Sequence, residues 1–520
     1  MFGQRIMNST SELGAAQPTP SKIQVLEALS SKSFEVHCPL ITLTQCREVG
    51  PEVIRGRGSI RLLGGEAFEL CLYPDHSPVD LPVQLDRFVN QQSGTMISDA
   101  EYFLLSASGY DGVEWAAERI LPKRGGLGPT LVTAEFSHLT YQSKAQTTGG
   151  NYVTLVFFGE PGFRYNRYVT TATSVGEEVD KELHLAAAGF EDRGFTISVS
   201  PLRLKEDAIE IRVEFANQVS VPNIEHRVQE ALSFVLYRPV HWSLCIKAHR
   251  GNAQMIVRPR KPHGQRTVHS PIGPHPSSAK DFWKLFSAYL RYIVDHPSSD
   301  SFHYSPLAAQ LRPLISGESD ELVVIALLVT VAVEGVLHLE FPNLGEPTKG
   351  FLGCLDRAAK VLRRMKGVEE GFRKRADGSL NAMRGARASD KLIALRDLSI
   401  VSAEMIAAWK RLRNASAHAT IDPKSFDNER LWGQCNTVAT MLNLLVFTAI
   451  GYSGRYLDFS VVPWEERSFT PPPLPKSNGA RKDTSDKGRG PRMSTDGVTP
   501  NNPGDPLDLL LSFQPVDDRD

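Results

Sequence analysis

The chain has 520 residues, a formal net charge of −1, and 41% hydrophobic against 22% charged residues. That length exceeds what one hydrophobic core usually holds, and the composition excludes wholesale disorder. The near-neutral balance excludes a global pull toward nucleic acid or membrane, so any nucleic-acid site must come from local clustering.

Residues 1–30 are polar, rich in Ser, Thr and Pro, and lack the apolar centre of a signal peptide; they are expected to be a disordered N-terminal segment. From 31 to 250 short apolar runs alternate with glycine or turn residues. Tyr152 to Phe158, Phe195 to Val199 and Ile209 to Phe215 read as strands, and the last puts Ile209, Ile211, Val213 and Phe215 on one face. Many strands and few helices predict a sandwich or barrel-like β domain. One helix is expected near its end, with Ile224, Val228, Leu232 and Val235 at helical spacing. Residues 251–276 mix basic residues with Pro and Gly and read as a basic linker.

From 277 to 465 the period is helical, giving an α+β multidomain chain: a β-rich N-terminal domain followed by an all-α bundle. Phe282, Leu285, Phe286, Tyr289 and Ile293 form one stripe. Leu322 to Leu339 is apolar nearly all round and is placed at the bundle centre. Leu398, Val401, Met405, Trp409 and Leu412 mark a third helix; Leu431, Cys435, Val438, Met441, Leu442 and Leu445 mark a fourth, closing near Gly451. Between the second and third of these helices, Asp356 to Arg396 carries twelve Lys/Arg against five Asp/Glu, an excess of seven (12 − 5). This is either attraction to RNA phosphate or a solvated face. Residues 466–520 read as a disordered tail, with Leu507 to Phe513 as an apolar island.

The six cysteines lie far apart, which fits reduced thiols in a cytoplasmic protein better than a zinc ribbon or a disulfide framework. The longest apolar run, Leu322 to Val333, is short for a bilayer and meets Glu334, so no membrane partner is expected. No Walker loop, dinucleotide fingerprint or metal-ligand spacing occurs, and no cofactor or metal is expected.

An arginine followed four to six residues later by histidine occurs at Arg258/His263, Arg291/His296 and Arg413/His418, about as often as chance gives. Context separates them. The first lies in the Pro-interrupted linker, and the second sits at a helix end with Tyr292 after the arginine. The third ends an amphipathic stripe, has Asn414 directly after the arginine, and keeps small residues (Ala415, Ser416, Ala417) before His418. Cutting RNA without metal needs a base for the ribose 2′-OH, an acid for the leaving oxygen and a cation on the phosphate. Histidine, with pKa ~6.5, serves as acid or base near neutral pH, and arginine offers a bidentate fork. The bland reading is that Arg413 and His418 decorate a helix end.

The run LLVTVAVEGVLHLEF (Leu327 to Phe341), the motif Arg413-Asn414-x-x-x-His418, and the stretch from Met441 through Gly451-Tyr452-Ser453-Gly454-Arg455-Tyr456 resemble ApeA-type HEPN domains of bacterial anti-phage and abortive-infection proteins. Gly58 to Leu62, and Ser108 to Gly112 leading to Ile120-Leu121-Pro122, are similar to the β-rich domain that precedes HEPN there. The resemblance implies a metal-independent endoribonuclease, gated by an N-terminal sensor or regulatory domain that meets an unknown trigger ligand or phage component. It implies Arg413 on the scissile phosphate, His418 as acid–base group and Asn414 as an orienting residue. It also implies a homodimer with a composite site, formed in this chain by the stripe through Met405, Trp409 and Leu412. Arg411 is an alternative phosphate ligand, and Ser416 and Glu334 are supporting candidates, Glu334 as a buried carboxylate partnering Arg413 or His418. His338, one turn on from Glu334, reads as a satisfied bundle histidine. On this view a bundle cut free at Ser277 to Val462 should be more toxic than the full chain. The alternative is a non-catalytic HEPN module that dimerises or binds RNA, with ligand binding in the β domain. A third reading, a carbohydrate-binding β domain on a helical adaptor, needs clustered tryptophans, and the six are scattered.

Overall fold

The computed structural model describes residues 21–75, 97–124, 131–143, 151–159, 162–175, 178–192, 194–204, 207–215, 223–249, 252–261, 268–296, 304–316, 321–417 and 427–473. Part of the segment expected to be loose is helical. Lys22–Ser30 is helix α1, because Val25, Leu26 and Leu29 share one face and pack into the first β core.

Fifteen strands among the described residues join one antiparallel sheet. They are β1 (Glu35–Gln45), β2 (Val53–Leu63), β3 (Ala67–Pro74), β4 (Phe103–Ser108), β5 (Glu114–Ile120), β6 (Lys123–Arg124), β7 (Val132–Phe136) and β8 (Leu139–Ser143), followed by β9 (Tyr152–Phe158), β10 (Arg167–Val175), β11 (Glu178–Asp192), β12 (Phe195–Arg203), β13 (Asp207–Phe215), β14 (Leu244–His249) and β15 (Asn252–Val257). The order is β10-β11-β12-β13-β9-β14-β15-β8-β5-β4-β1-β2-β3-β7-β6. β7 and β8 lie six places apart in that order, yet the link Ser137-His138 cannot hold their ends more than about 11 Å apart. The span from β8 to β7 therefore curls on itself into a barrel-like wall. It encloses Ile41, Leu43, Ile60, Phe68, Leu70 and Trp115. Gly56 and Gly58 let β2 meet β3 tightly, since a Cβ there would overlap the Tyr73 or Cys71 carbonyl oxygen.

The other half of the sheet faces a second core. Ile209, Ile211 and Val213 of β13 are buried on one face with Phe215 packed beside them, as the alternation predicts. β9 is apolar on both faces because it divides the two cores: Val153, Leu155 and Phe157 point one way, Val156 and Phe158 the other. Over the first face lies α2 (Ile224–Leu236), whose Ile224, Val228, Leu232 and Val235 are all buried.

That core does not stop at the expected linker. β15 lies within residues 251–276 and pairs with β14 and β8. Beyond it Val268 and Ile272 are buried, and Ser270 Oγ donates to the Val235 carbonyl at 2.7 Å. Two basic residues of that span lie on aromatic rings, Arg258 at 3.7 Å from the Trp242 centroid and Arg260 at 5.6 Å from Phe158. His263, in the middle of the span, lies outside the described residues.

The helical part comprises α3 (Ala279–Asp295), α4 (Pro306–Ser316), α5 (Leu322–Glu340), α6 (Lys349–Arg364), α7 (Glu370–Ala382), α8 (Ala388–Asp397), α9 (Ala403–Ala417) and α10 (Asn428–Ile450). All five expected stripe residues of α3 are buried. They meet the sheet through a chain of rings: Phe157 of β9 to Phe163 at 5.6 Å, Phe163 to Trp283 at 6.3 Å, and Tyr289 stacked on Phe234 of α2 at 4.7 Å. Sheet, α2 and bundle thus share one continuous core. α10 buries its expected stripe except Leu431, which is partly buried, and Gly451 closes it with φ 67°.

Three expectations for the bundle change. α5 is not central: Val323, Leu327 and Val331 are 36%, 44% and 55% exposed, while its other face packs on α4, α9 and α10. Leu398 belongs to the end of α8; α9 starts at Ala403, where Ser402 Oγ accepts the Met405 N–H at 3.1 Å. The residues just after 465, expected to open a disordered tail, are instead in a hairpin of β16 (Gly454–Asp458) and β17 (Glu465–Phe469). Arg455 of β16 joins Asp281 of α3 at 2.9 Å and Glu466 at 3.1 Å. Leu507 to Phe513 lies outside the described residues. α5 and α10 are long and apolar enough to cross a membrane by composition; in the fold α10 is mostly buried and α5 half so.

Candidate active site at the end of helix α9

α9 carries the motif because its apolar side is fixed first. Met405, Trp409 and Leu412, at spacings of four and three, are 7%, 3% and 1% exposed and hold α9 against α5 and α10. These residues lie inside the chain's own core, so they do not form the surface for a second copy that the sequence led us to expect. With Leu412 turned inward, its neighbours Arg411 and Arg413 point outward and both are exposed, as is Asn414.

Of the two arginines, Arg413 is the one held in place. Its Nε donates to Glu334 Oε1 of α5, and its guanidinium carbon lies 5.8 Å from the Trp409 ring centroid, one turn back on the same helix. Arg411 has no carboxylate partner among the described residues. Glu334 is not the buried carboxylate expected from its apolar helix. Its side chain is 37% exposed and that of Arg413 50%, so the pair belongs with surface ion pairs of about 0–1 kcal/mol. Its value is positional: it fixes a guanidinium at the exposed end of α9. Gly335, the next residue, lets Gln310 of α4 come so close that a Cβ would overlap its amide oxygen, which locks α5 at this level.

The structure thus brings Arg413, Asn414, Glu334 and Trp409 together. Trp409 was legible only as core; a Trp four residues before the arginine is the signal for its second role. Ser416 lies in the last turn of α9 with its side chain outside the described part, and His418 lies outside the described residues. His338 is exposed, not satisfied inside the bundle, and stands one turn beyond Glu334 on the same face of α5. Arg291 and His296, the competing pair, sit at the end of α3, where Tyr292 packs on the His296 ring at 5.9 Å.

The basic span folds as α6 and α7, with α8 behind them. α7 buries none of its residues, and α6 buries only Leu355 and Ala359. Arg384 pairs with Asp356 at 2.6 Å and Lys374 with Glu370 at 3.0 Å, whereas Arg357, Lys360, Arg364, Lys366 and Arg375 have no carboxylate partner among the described residues. Lys391 is the exception: it is buried and donates to the Leu337 carbonyl at 3.1 Å.

Trp432 and Trp464, scattered in sequence, converge on His269 at 6.0 and 4.4 Å. This aromatic cluster stands in the helical part, not on the β domain where a sugar site was considered. Among the described residues no three His, Cys, Asp or Glu side chains converge as a metal site. Comparison of the chain with protein-family models, with curated proteins and with solved structures found no match.

Proposed function

We propose that the chain is a metal-independent endoribonuclease of the HEPN type, cytoplasmic and acting in anti-phage defence. RNA is cut at the end of α9 and the N-terminal half responds to the trigger. The observation that carries this reading is the placement of Arg413. A guanidinium fixed by Glu334 and Trp409 stands directly before Asn414, five residues ahead of a histidine. Arg413 holds the scissile phosphate, Asn414 orients it, and His418 moves the proton. Pure protein incubated with total RNA in EDTA, with the new ends sequenced, tests this. Termini bearing 2′,3′-cyclic or 3′-phosphate are expected; magnesium-dependent cuts leaving 3′-hydroxyls end the proposal.

The unpaired cations of α6 and α7 supply attraction to RNA that is blind to sequence. Replacing Arg364, Lys366 and Arg375 by glutamine should leave the cut sites unchanged. It should also lower the slope of log affinity against log salt by about 2, at about 0.7 per lost contact on single strands. An unchanged slope in filter binding makes α6 and α7 a solvated face.

Separate acid and base groups are best supplied by two copies, and a two-fold arrangement needs one self-complementary surface. With the Met405, Trp409 and Leu412 stripe buried, the exposed apolar face nearest the motif helix's partner Glu334 is that of α5. There Val323, Leu327 and Val331 run one turn apart toward Glu334 and Arg413. A second copy seated on it places two motifs side by side. Leu327→Glu should give a monomer by light scattering and lose cleavage with it. Full activity in a monomer instead leaves His338, on the same face, as the second proton-transfer group.

The alternative, a non-catalytic RNA-binding module with ligand binding in the N-terminal half, is favoured by one observation: a cleft beside α2 with buried acceptors on its wall.

A further inference from the structure

α2 buries more than its apolar stripe. Glu225, Arg227, Gln229 and Glu230 are 3%, 0%, 8% and 5% exposed. Glu225 is answered by Lys247 at 2.7 Å. Glu230 uses one oxygen twice: Oε1 accepts from Arg227 Nη1 at 2.9 Å and from the Ser305 N–H at 2.8 Å. Its other oxygen, Oε2, and Oε1 of Gln229 are buried with no donor among the described residues. Glu225 Oε2 on the same helix is likewise buried without a donor, so the cleft in front of Gln229 and Glu230 is what distinguishes these two.

Both residues line one open cleft of about 80 Å³ between α2 and helices α3 and α4, room for the polar end of a small molecule. Glu230, Gln229 and Tyr289 are buried and form its floor; His241 and Tyr304 are half-buried, and Arg312 is exposed at its rim. Arg312 lies 4.6 Å from the Tyr304 ring centroid and has no carboxylate partner among the described residues. The floor therefore wants hydrogen-bond donors and the rim offers a cation.

We propose that this cleft binds a compact zwitterionic molecule, an ammonium or guanidinium group directed at Glu230 and Gln229 and an anionic group at Arg312. Burial pushes the Glu230 carboxyl well above its usual range despite Arg227 and both the N–H and the hydroxyl of Ser305, so a cationic donor is the partner that would favour the ionised form. The site lies where the sheet's helix meets the bundle, and α4, which carries Arg312, packs directly on α5.

Calorimetric titration of the full-length protein with 4-guanidinobutyrate and phosphoethanolamine tests this, with butylamine and butyrate as probes lacking one end each. Binding of a two-ended probe is expected, and it should weaken about tenfold or more in Glu230→Gln and in Gln229→Leu. Arg312→Ala should weaken the two-ended probes and leave butylamine unchanged. Glu230→Gln disturbs the balance of Arg227; if it fails to fold, Gln229→Leu and Arg312→Ala, which touch no ion pair, decide the matter. Absence of binding by both two-ended probes, or binding indifferent to these substitutions, overturns the proposal. Because binding is read directly, this outcome is independent of whether the protein cuts RNA.

Discussion

His418→Ala should lower RNA cleavage by about 10²–10⁴-fold, the usual contribution of a positioned acid–base group, while the circular dichroism spectrum stays unchanged. The second expectation follows from the fold, since α9 ends at Ala417 and its anchors, Met405, Trp409 and Leu412, are untouched. Arg413→Ala should fall as far, because it removes the phosphate ligand and releases Glu334. Arg411→Ala should fall much less, since Arg411 lacks the carboxylate and ring that orient Arg413. Single-turnover cleavage of a defined RNA in EDTA separates the three. Should His418→Ala keep wild-type rates, the motif is helix-end decoration and the chain is the non-catalytic module.

The largest expected loss of stability comes from a single side chain far from that site. Arg227 is fully buried, and its removal leaves Glu230, 1% exposed, as an uncompensated charge. Arg227→Met should cost about 3–5 kcal/mol in urea unfolding at pH 8, the range seen when one partner of a buried pair is deleted. The pH dependence carries a definite sign. Burial, opposed by Arg227 and by Ser305, raises the Glu230 carboxyl from 4.5 to about 7. The folded state therefore binds this proton more tightly than the unfolded chain, and its contribution to stability falls as pH rises from about 4.5 through about 7. Arg227→Met removes the opposing charge, pushes the group higher still, and should regain much of its loss on acidification to pH 5.5. Tyr289, Tyr304, His241 and Arg312 face the same cleft; of these, the pKa of His241 is lowered from its usual value by burial, with Lys261 and Arg258 adding to it. A deficit equal at pH 5.5 and pH 8 would show that Glu230 is not the group responsible.

The periodic parts of the chain were readable because periodicity reports burial directly. Ile209, Ile211 and Val213, the α3 stripe from Phe282 to Ile293, and the closure of α10 at Gly451 all lie where their spacing puts them. What failed to show was burial that breaks composition. Met255-Ile256-Val257 is too short an apolar run to stand out among Arg, Pro and His, yet it is a central strand because β14 and β8 flank it. α5 looked fully buried because an exposed apolar face has the same letters as a buried one. The polar residues of α2 were invisible for the opposite reason: Glu225, Arg227 and Glu230 read as the wet side of an amphipathic helix, and only the overlying bundle dries them. At the site, sequence singled out Arg413 and Asn414 but left open what Glu334 met. Four residues of spacing place groups along one helix and say nothing of the neighbouring one.

The ring chain from Phe157 through Phe163 to Trp283, with Tyr289 on Phe234, changes what kind of object this chain is. A sensor joined to an effector by a tether is a pair of exchangeable modules, each able to be inherited or swapped alone. Here a cut between residues 250 and 277 removes a central strand and strips α3 of the surface it packs on. The excised piece Ser277 to Val462 is thus half of a core, and its harmlessness in a cell would say nothing about catalysis. Control in such a molecule travels as a change in packing across the shared core, and recombination must move both halves together.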